Sequence, residues 1–255
     1  MTLGLPISTM VAFLYVLARV AGVIAFLPVP GFRNAPQAIR AVFALALTLA
    51  LFPAWPPVPD EIPGFGALIA SAFAEAGFGL MAGLAVAFLN ESFQIAAQVF
   101  GLQAGYGFAS TIDPTSQADS SVIQVMMTLV TGLLFFTLGL DREVMRVLAA
   151  SFQKFPAGTW APSAASLDGI VRLGGGMFTL GLRLAIPIIG LLLLLDFALA
   201  LLGRMQQQLQ LLSLAFPVKM IAAIAILVFL APVVAKLYEG AAGRTVEELW
   251  RVVNP

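Results

Sequence analysis

The sequence contains no cysteine and no histidine, and only 10% of its 255 residues are charged. Without cysteine the chain forms no disulfide and has no thiolate nucleophile. Without histidine it also lacks the most common general base and metal ligand. These absences argue against an enzyme, so we expect no catalytic residue, no cofactor and no metal ligand.

Net charge is absent as well, because 13 basic residues balance 13 acidic ones. A protein that binds nucleic acid or an anionic surface through its overall field normally carries a marked excess of positive charge. The balance therefore argues against a nucleic-acid partner.

Apolar residues are abundant instead: 60% of the chain is hydrophobic, and the mean hydropathy is +0.99. Several apolar runs are long enough to cross the roughly 30 Å hydrocarbon core of a bilayer. The fold class that we predict is all-α, a polytopic membrane protein of about six long, partly kinked helices. The first apolar run has no basic segment before it and no small-residue cleavage site after it, so we expect it to be a retained helix.

The long apolar runs are residues 7–27, 38–52, 67–89, 122–140, 174–202 and 211–230. Residues 141–155 and 245–253 have the charge-mixed pattern of amphipathic helices, and residues 156–168 are rich in turn formers. Proline fixes its backbone and donates no hydrogen bond, so we expect Pro187 to kink its helix and Pro232 to end the last long run. The last third of the chain is therefore predicted to form a helical hairpin followed by a short tail.

Arg19 and Asp196 are two of the charged residues that lie inside the apolar runs. We expect Arg19 to extend its side chain toward the membrane interface; the alternative is an ion pair with a carboxylate on another helix. An unpaired Asp196 would cost about 2.5 to 3.5 kcal/mol in a membrane helix. We therefore expect Asp196 to be hydrogen-bonded within the hairpin or to a neighbouring subunit, and to tolerate replacement by asparagine.

Residues 103–121 form the only long polar interval between two apolar runs. Gly105 and Gly107 loosen the helix that precedes it, and Asp113-Pro114 is expected to stop that helix. Composition alone favours an ordinary connecting loop at this position. Just before it, polar residues recur at helical spacing, and this stripe consists of Glu91, Gln94, Gln98 and Gln103. The stripe indicates either a water-facing extension of the helix or the lining of a wet passage.

Pro187, Asp196 and the triple glycine at 174–176 are also compatible with a secondary transporter that has broken helices. Such transporters usually repeat their interruptions in two halves of the chain, and residues 1–120 and 121–255 show no matching pair. The lack of a matching pair makes a secondary transporter the weaker interpretation. A passive membrane scaffold without a pore is a third possibility.

Two stretches resemble a known family. They are Phe100-Gly-Leu-Gln-Ala-Gly-Tyr-Gly-Phe-Ala-Ser-Thr-Ile-Asp-Pro114, and Ala198-Leu-Ala-Leu-Leu-Gly-Arg-Met205 followed by Ala215-Phe-Pro-Val218. Their order and spacing resemble the FliR family, the single-copy inner-membrane component of the flagellar type III export gate. Asp196 and Gly203 stand where that family usually has asparagine, and three glutamines at 206–208 replace its usual turn. The related SctT-like component of virulence injectisomes is a second member of the same group.

The resemblance implies a division of the chain into three parts. Residues 1–172 would form a FliP-like helical part that includes a plug loop at 106–121. Residues 173–240 would form a FliQ-like helical hairpin, and residues 241–255 an amphipathic C-terminal tail. The implied location is the bacterial inner membrane at the flagellar basal body. The implied partners are FliP and FliQ, then FlhB and FlhA, membrane lipid, and unfolded flagellar proteins in transit.

The resemblance also implies roles for individual residues. The pore plug would include Tyr106, Gly107, Phe108, Ser110, Ile112, Asp113, Pro114 and Ser116. The polar stripe at residues 91–103 would face the pore. Subunit contacts of the hairpin would involve Asp196, Arg204, Gln208, Phe216, Pro217 and Lys219.

Overall fold

The computed structural model describes residues 6–28, 35–55, 64–106, 122–205 and 211–253. Within these ranges the chain forms seven α-helices and one short 3-10 helix, with no strand. The α-helices are α1 (Ile7–Phe26), α2 (Gln37–Ala50), α3 (Phe65–Gln103), α4 (Val122–Thr137), α5 (Leu140–Lys154), α6 (Ala164–Met205) and α7 (Leu211–Val253); the 3-10 helix is Phe52–Ala54. The predicted all-α class is confirmed.

Four of these helices, α1, α3, α6 and α7, are long and apolar enough to cross a membrane. The number becomes five if α4 and α5, which meet at a 59° bend, count as one broken span. Helix α3 has 39 residues, α6 has 42 and α7 has 43, well beyond the ~20 residues that a span needs. The prediction of a polytopic membrane protein is confirmed.

A glycine produces the bend between α4 and α5. Gly139 has φ +69°, a left-handed conformation that glycine adopts without steric cost. Its N–H donates to the carbonyl of Phe136, and its own carbonyl accepts from the N–H groups of Arg142 and Glu143. Helix α4 therefore ends at Thr137, three residues before the end of the apolar run at residue 140.

The predicted end of the last helix at Pro232 was wrong. Helix α7 continues through Pro217 and Pro232 to Val253, so the predicted tail helix is its final portion. Each proline removes one hydrogen-bond donor, and the rest of a long helix compensates for that loss, particularly in membrane proteins. Helix α6 likewise begins at Ala164 and not near Gly174, because the hydroxyl of Ser163 accepts the N–H of Ser166 and caps its start.

The described residues group into two compact units, and the long helices contribute to both. The first unit comprises residues 1–88, 135–174 and 242–255, and the second comprises residues 89–134 and 175–241. The division of the chain at residues 172 and 240, which the family resemblance implies, stays a prediction.

In the first unit, α1 and α3 pack with their backbones in contact. A Cβ atom at Gly22 would lie 2.6 Å from the carbonyl oxygen of Ala76, and one at Gly83 would lie 2.7 Å from that of Val23. A Cβ atom at Gly79 would collide with the carbonyl oxygen of Arg19. Small residues allow this close approach, which is a common way for membrane helices to associate without a hydrophobic driving force.

Arg19 is fully buried beside this contact and forms an ion pair with Glu75 of α3. Its Nε donates to Oε2 of Glu75 at 2.5 Å, and its Nη1 donates to the hydroxyl of Ser151 at 2.8 Å. Its Nη2 also donates to the carbonyl of Phe155 at 3.4 Å. The prediction that Arg19 reaches the membrane interface was therefore wrong, and the alternative of a carboxylate partner is correct.

The remaining surface of this ion pair is also occupied. The rings of Phe78 and Phe152 lie 4.8 and 4.5 Å from the guanidinium carbon of Arg19, within range of cation–π attraction. On the other side, Oε1 of Glu75 accepts the N–H of Gly158 at 2.7 Å. A buried pair needs such additional contacts because both charges have lost their water. The pair connects α1, α3, α5 and the turn after α5.

Candidate functional site at the start of the polar segment

Helix α3 ends in a glycine cap at the start of the polar interval formed by residues 103–121. The N–H of Gly105 donates to the carbonyl of Leu102 at 3.0 Å, and the N–H of Tyr106 donates to that of Gly101 at 3.1 Å. Gly105 has φ +90°, so the pattern is a Schellman motif with glycine in its left-handed position. The predicted helix stop at Asp113-Pro114 was wrong, because the helix ends earlier, at Gln103. Asp113 and Pro114 themselves lie outside the described residues.

The last residue of α3 is bound by a carboxylate on α6. Oδ2 of Asp196 accepts a hydrogen bond from Nε2 of Gln103 and another from Nζ of Lys219 on α7, both at 3.0 Å. Oδ1 of Asp196 lies 2.9 Å from the same ammonium. One carboxylate therefore connects α3, α6 and α7. The prediction that Asp196 is hydrogen-bonded within the hairpin is confirmed, and Gln103 is an additional partner.

Two further contacts hold the residues that follow. The hydroxyl of Tyr106 donates to the carbonyl of Met220 at 3.0 Å, and burial raises the pKa of this phenol, so it remains a neutral donor at physiological pH. A Cβ atom at Gly105 would lie 2.9 Å from Cδ1 of Phe216, so the glycine backbone packs directly on that ring. We refer to the contacts of residues 103–106 with Asp196, Phe216, Lys219 and Met220 as the loop anchor.

The four residues of the polar stripe do not share one environment. Gln103 belongs to the loop anchor, whereas Nε2 of Gln94 donates to the hydroxyl of Thr128 on α4 at 2.9 Å. Gln98 is exposed and Glu91 is half-buried. A pore-facing role for the whole stripe stays a prediction.

The other predicted site residues divide into two groups. The predicted plug residues after Tyr106, namely Gly107, Phe108, Ser110, Ile112, Asp113, Pro114 and Ser116, lie outside the described residues, as does Gln208. On the hairpin, Arg204 and Pro217 are exposed, whereas Phe216 and Lys219 are half-buried.

In the ranges that the structure describes, no three acidic side chains come together as metal ligands.

Sequence reasoning missed one polar contact in the second unit. The hydroxyl of Tyr238 on α7 donates to Oδ1 of Asn90 on α3 at 3.0 Å, and both residues are buried. The ring of Phe93 packs on that of Tyr238, with 5.1 Å between centroids. The available signal was that Asn90 and Tyr238 are hydrogen-bonding residues within otherwise apolar stretches, where such groups need a partner.

Comparison with known proteins identifies the family. Residues 10–245 match the family of bacterial export proteins, family 1. The chain is 29% identical over 227 residues to the flagellar biosynthetic protein FliR of Escherichia coli K12, covering 89% of this chain and 87% of that relative. It is 26% identical over 242 residues to the FliR protein of Bacillus subtilis, covering 93% of each chain. The FliR protein of Caulobacter vibrioides is 26% identical over 83% of this chain and 85% of that relative. These matches confirm the resemblance predicted from the two sequence motifs, and the chain therefore belongs to the bacterial export proteins, family 1, as a member of the FliR family.

Proposed function

We propose that this chain is the single-copy membrane component of the flagellar type III protein export gate. It assembles with FliP and FliQ in the bacterial inner membrane at the flagellar basal body, and residues 106–121 plug the closed channel. Family membership supports the coarser role, a component of flagellar biosynthesis and protein export. The flagellar names of the three relatives favour this role over that of an injectisome component.

The observation that carries the plug proposal is the loop anchor. A simple connector needs no special fixation, whereas a plug must leave from a fixed point so that its apolar residues meet the pore wall. The anchor fixes Gln103 and Tyr106 to the hairpin by hydrogen bonds of 3.0 Å each. The sequence of the following segment, with Gly107 and Pro114, predicts that a passing substrate can displace it at low cost.

The hairpin formed by α6 and α7 supports assembly with other subunits. Only 22% of the most apolar stretch of α6 and 17% of that of α7 are buried within the chain, compared with 50% for α1 and α3. Phe178, Phe197 and Phe229 are 57%, 65% and 82% exposed. FliP, FliQ and lipid would cover this surface, and FlhB and FlhA would be further neighbours of the complex. Unfolded flagellar proteins would be its transient substrates.

This exposure leads to a prediction about purification. We expect the chain alone to aggregate or lose stability in mild detergent, and to be stable when co-expressed with FliP- and FliQ-type partners, because binding to the folded state stabilises it. Size-exclusion chromatography and a thermal melt, with and without the partners, measure this. A monodisperse monomer that melts at the same temperature as the complex would contradict the assembly proposal.

Removal of the plug segment tests the function directly. Deleting residues 107–119 should leave an assembled complex that conducts small ions, since nothing then seals the pore. Membrane conductance and growth under ionic stress measure the leak in cells that express the complex. A Gly-Ser segment of the same length should leak too, because it lacks the apolar side chains of Phe108 and Ile112.

The matched control is Glu143→Gln, which breaks an exposed ion pair with Arg146 on α5 and should leave the barrier intact. Native mass spectrometry establishes that each variant complex is assembled. Unchanged conductance in an intact deletion complex would falsify the plug, and residues 107–121 would then be an ordinary connector.

A further inference from the structure

We propose that Asp196 is a positioning residue that fixes the end of α3 on the hairpin, and thereby the point from which the polar segment leaves. The proposal rests on the proposed function, since the segment in question is the plug. It assigns to Asp196 a role in keeping the closed channel shut, through Gln103, rather than a role in proton or ion transport.

The geometry around Asp196 favours positioning because both carboxylate oxygens are used. Oδ2 accepts hydrogen bonds from Gln103 and Lys219, and Oδ1 forms an ion pair with Lys219. The side chain of Asp196 is 35% exposed and that of Lys219 is 13% exposed, so water competes only partly with these contacts. Hydrogen bonds to charged groups are shorter and stronger than neutral ones, and a partly shielded site preserves that strength.

The position of the contacts along α3 supports the same conclusion. A helix end normally frays because its last carbonyl groups lack partners within the helix. Here Gln103 is bound through its side chain, Gly105 packs on Phe216, and Tyr106 is bound through its hydroxyl. These contacts restrain three of the four residues 103–106, which are the described residues at the start of the polar interval.

The contacts on α7 lie within a single helical turn, at Phe216, Lys219 and Met220. A shift of α7 relative to α6 would therefore break the Lys219 pair and the Tyr106 bond together. The anchor thus couples the arrangement of the hairpin to the start of the plug.

Two labels can report the anchored state directly. The chain contains no cysteine, so Leu102→Cys and Leu202→Cys introduce unique sites for spin labels on exposed positions of α3 and α6. In the assembled complex, pulsed electron paramagnetic resonance should give one narrow distance distribution. Adding Asp196→Leu should broaden this distance distribution and raise the membrane conductance. Loss of two charge-assisted hydrogen bonds should increase the fraction of complexes in which the end of α3 has left the hairpin about tenfold or more.

Restoring variants separate positioning from a general effect on folding. The reversal Asp196→Lys with Lys219→Asp retains the ion pair, and the carbonyl of the Gln103 side chain can accept from the new lysine. We expect it to narrow the distribution again and to reduce the leak relative to either single change. Asp196→Asn keeps an acceptor for Gln103 and should leak less than Asp196→Leu. The matched control is Asp168→Leu, which removes an exposed ion pair with Arg172 on the same helix.

The proposal is overturned if Asp196→Leu complexes keep a narrow distance distribution and a normal barrier. If the Asp196→Leu complex does not assemble, Gln103→Leu replaces it, because this change leaves the Asp196–Lys219 pair intact. A narrow distance distribution in the Gln103→Leu complex would also overturn the proposal. Failure of the plug itself has a different signature. In that case deletion of residues 107–119 produces no leak, whereas failure of positioning leaves that deletion leaky and the Asp196 variants sealed.

Discussion

Replacing Arg19 with methionine is expected to destabilise the protein by about 3 to 5 kcal/mol, because Glu75 then lies buried without its cation. The arginine also donates to Ser151 and Phe155 and lies within cation–π range of the rings of Phe78 and Phe152, so its removal breaks several contacts at once. The unfolding midpoint of the purified complex in detergent, with the yield of folded complex, measures the effect.

The double variant Arg19→Met with Glu75→Met provides the informative control. Removing both charges leaves no unpaired ion, and replacing a whole buried pair with apolar residues is often neutral or stabilising. The double variant should therefore recover much of the stability that Arg19→Met loses. Wild-type stability of the single variant would show that Glu75 finds another partner or reaches water when Arg19 is removed.

Substitution of Gly79 by valine is the second change with a large expected effect. A Cβ atom at this position collides with the carbonyl oxygen of Arg19, and backbone cannot move aside as a flexible side chain would. We expect a loss of about 3 kcal/mol, the upper part of the usual range for overpacking, because α1 must separate from α3. The separation also pulls Arg19 away from Glu75, and the same unfolding measurement detects it.

Gly175→Ala is the matched control, since Gly175 lies inside α6 and nothing stands within 4 Å of its added Cβ. Alanine is the better helix former by up to about 1 kcal/mol, so this variant should be neutral or slightly stabilising. If Gly79→Val were equally harmless, the close approach of α1 and α3 would not contribute to stability.

The two changes in the first unit should also differ from the plug variants in their functional signature. Arg19 and Gly79 lie in residues 1–88, whereas the loop anchor belongs to the second unit. We expect Arg19→Met and Gly79→Val to lower the amount of assembled complex, because they act on stability. The complexes that do assemble should retain a normal ion barrier.

The sequence by itself determined the class of the protein and most of its helices. Apolar runs and their lengths are local properties, so they predicted α1, α2 and the start of α3 to within two residues, but not the end of α3. The cost of burying a charge is also local, which is why the need of Asp196 for a partner was predictable. Family membership followed from two motifs whose residues can be read directly from the chain.

Only the tertiary structure decided which groups meet. Arg19 pairs with Glu75 across 56 positions of sequence, and Gln103 binds Asp196 across 93. Such pairs depend on which helix faces pack together, and no local pattern encodes that choice. The structure also decided the helix ends, since a proline at 232 is tolerated within α7 while a glycine cap at Gly105 ends α3. The reason is physical: a helix continues or stops according to the sum of its packing and hydrogen bonds, which combine local caps with contacts to residues far away in sequence.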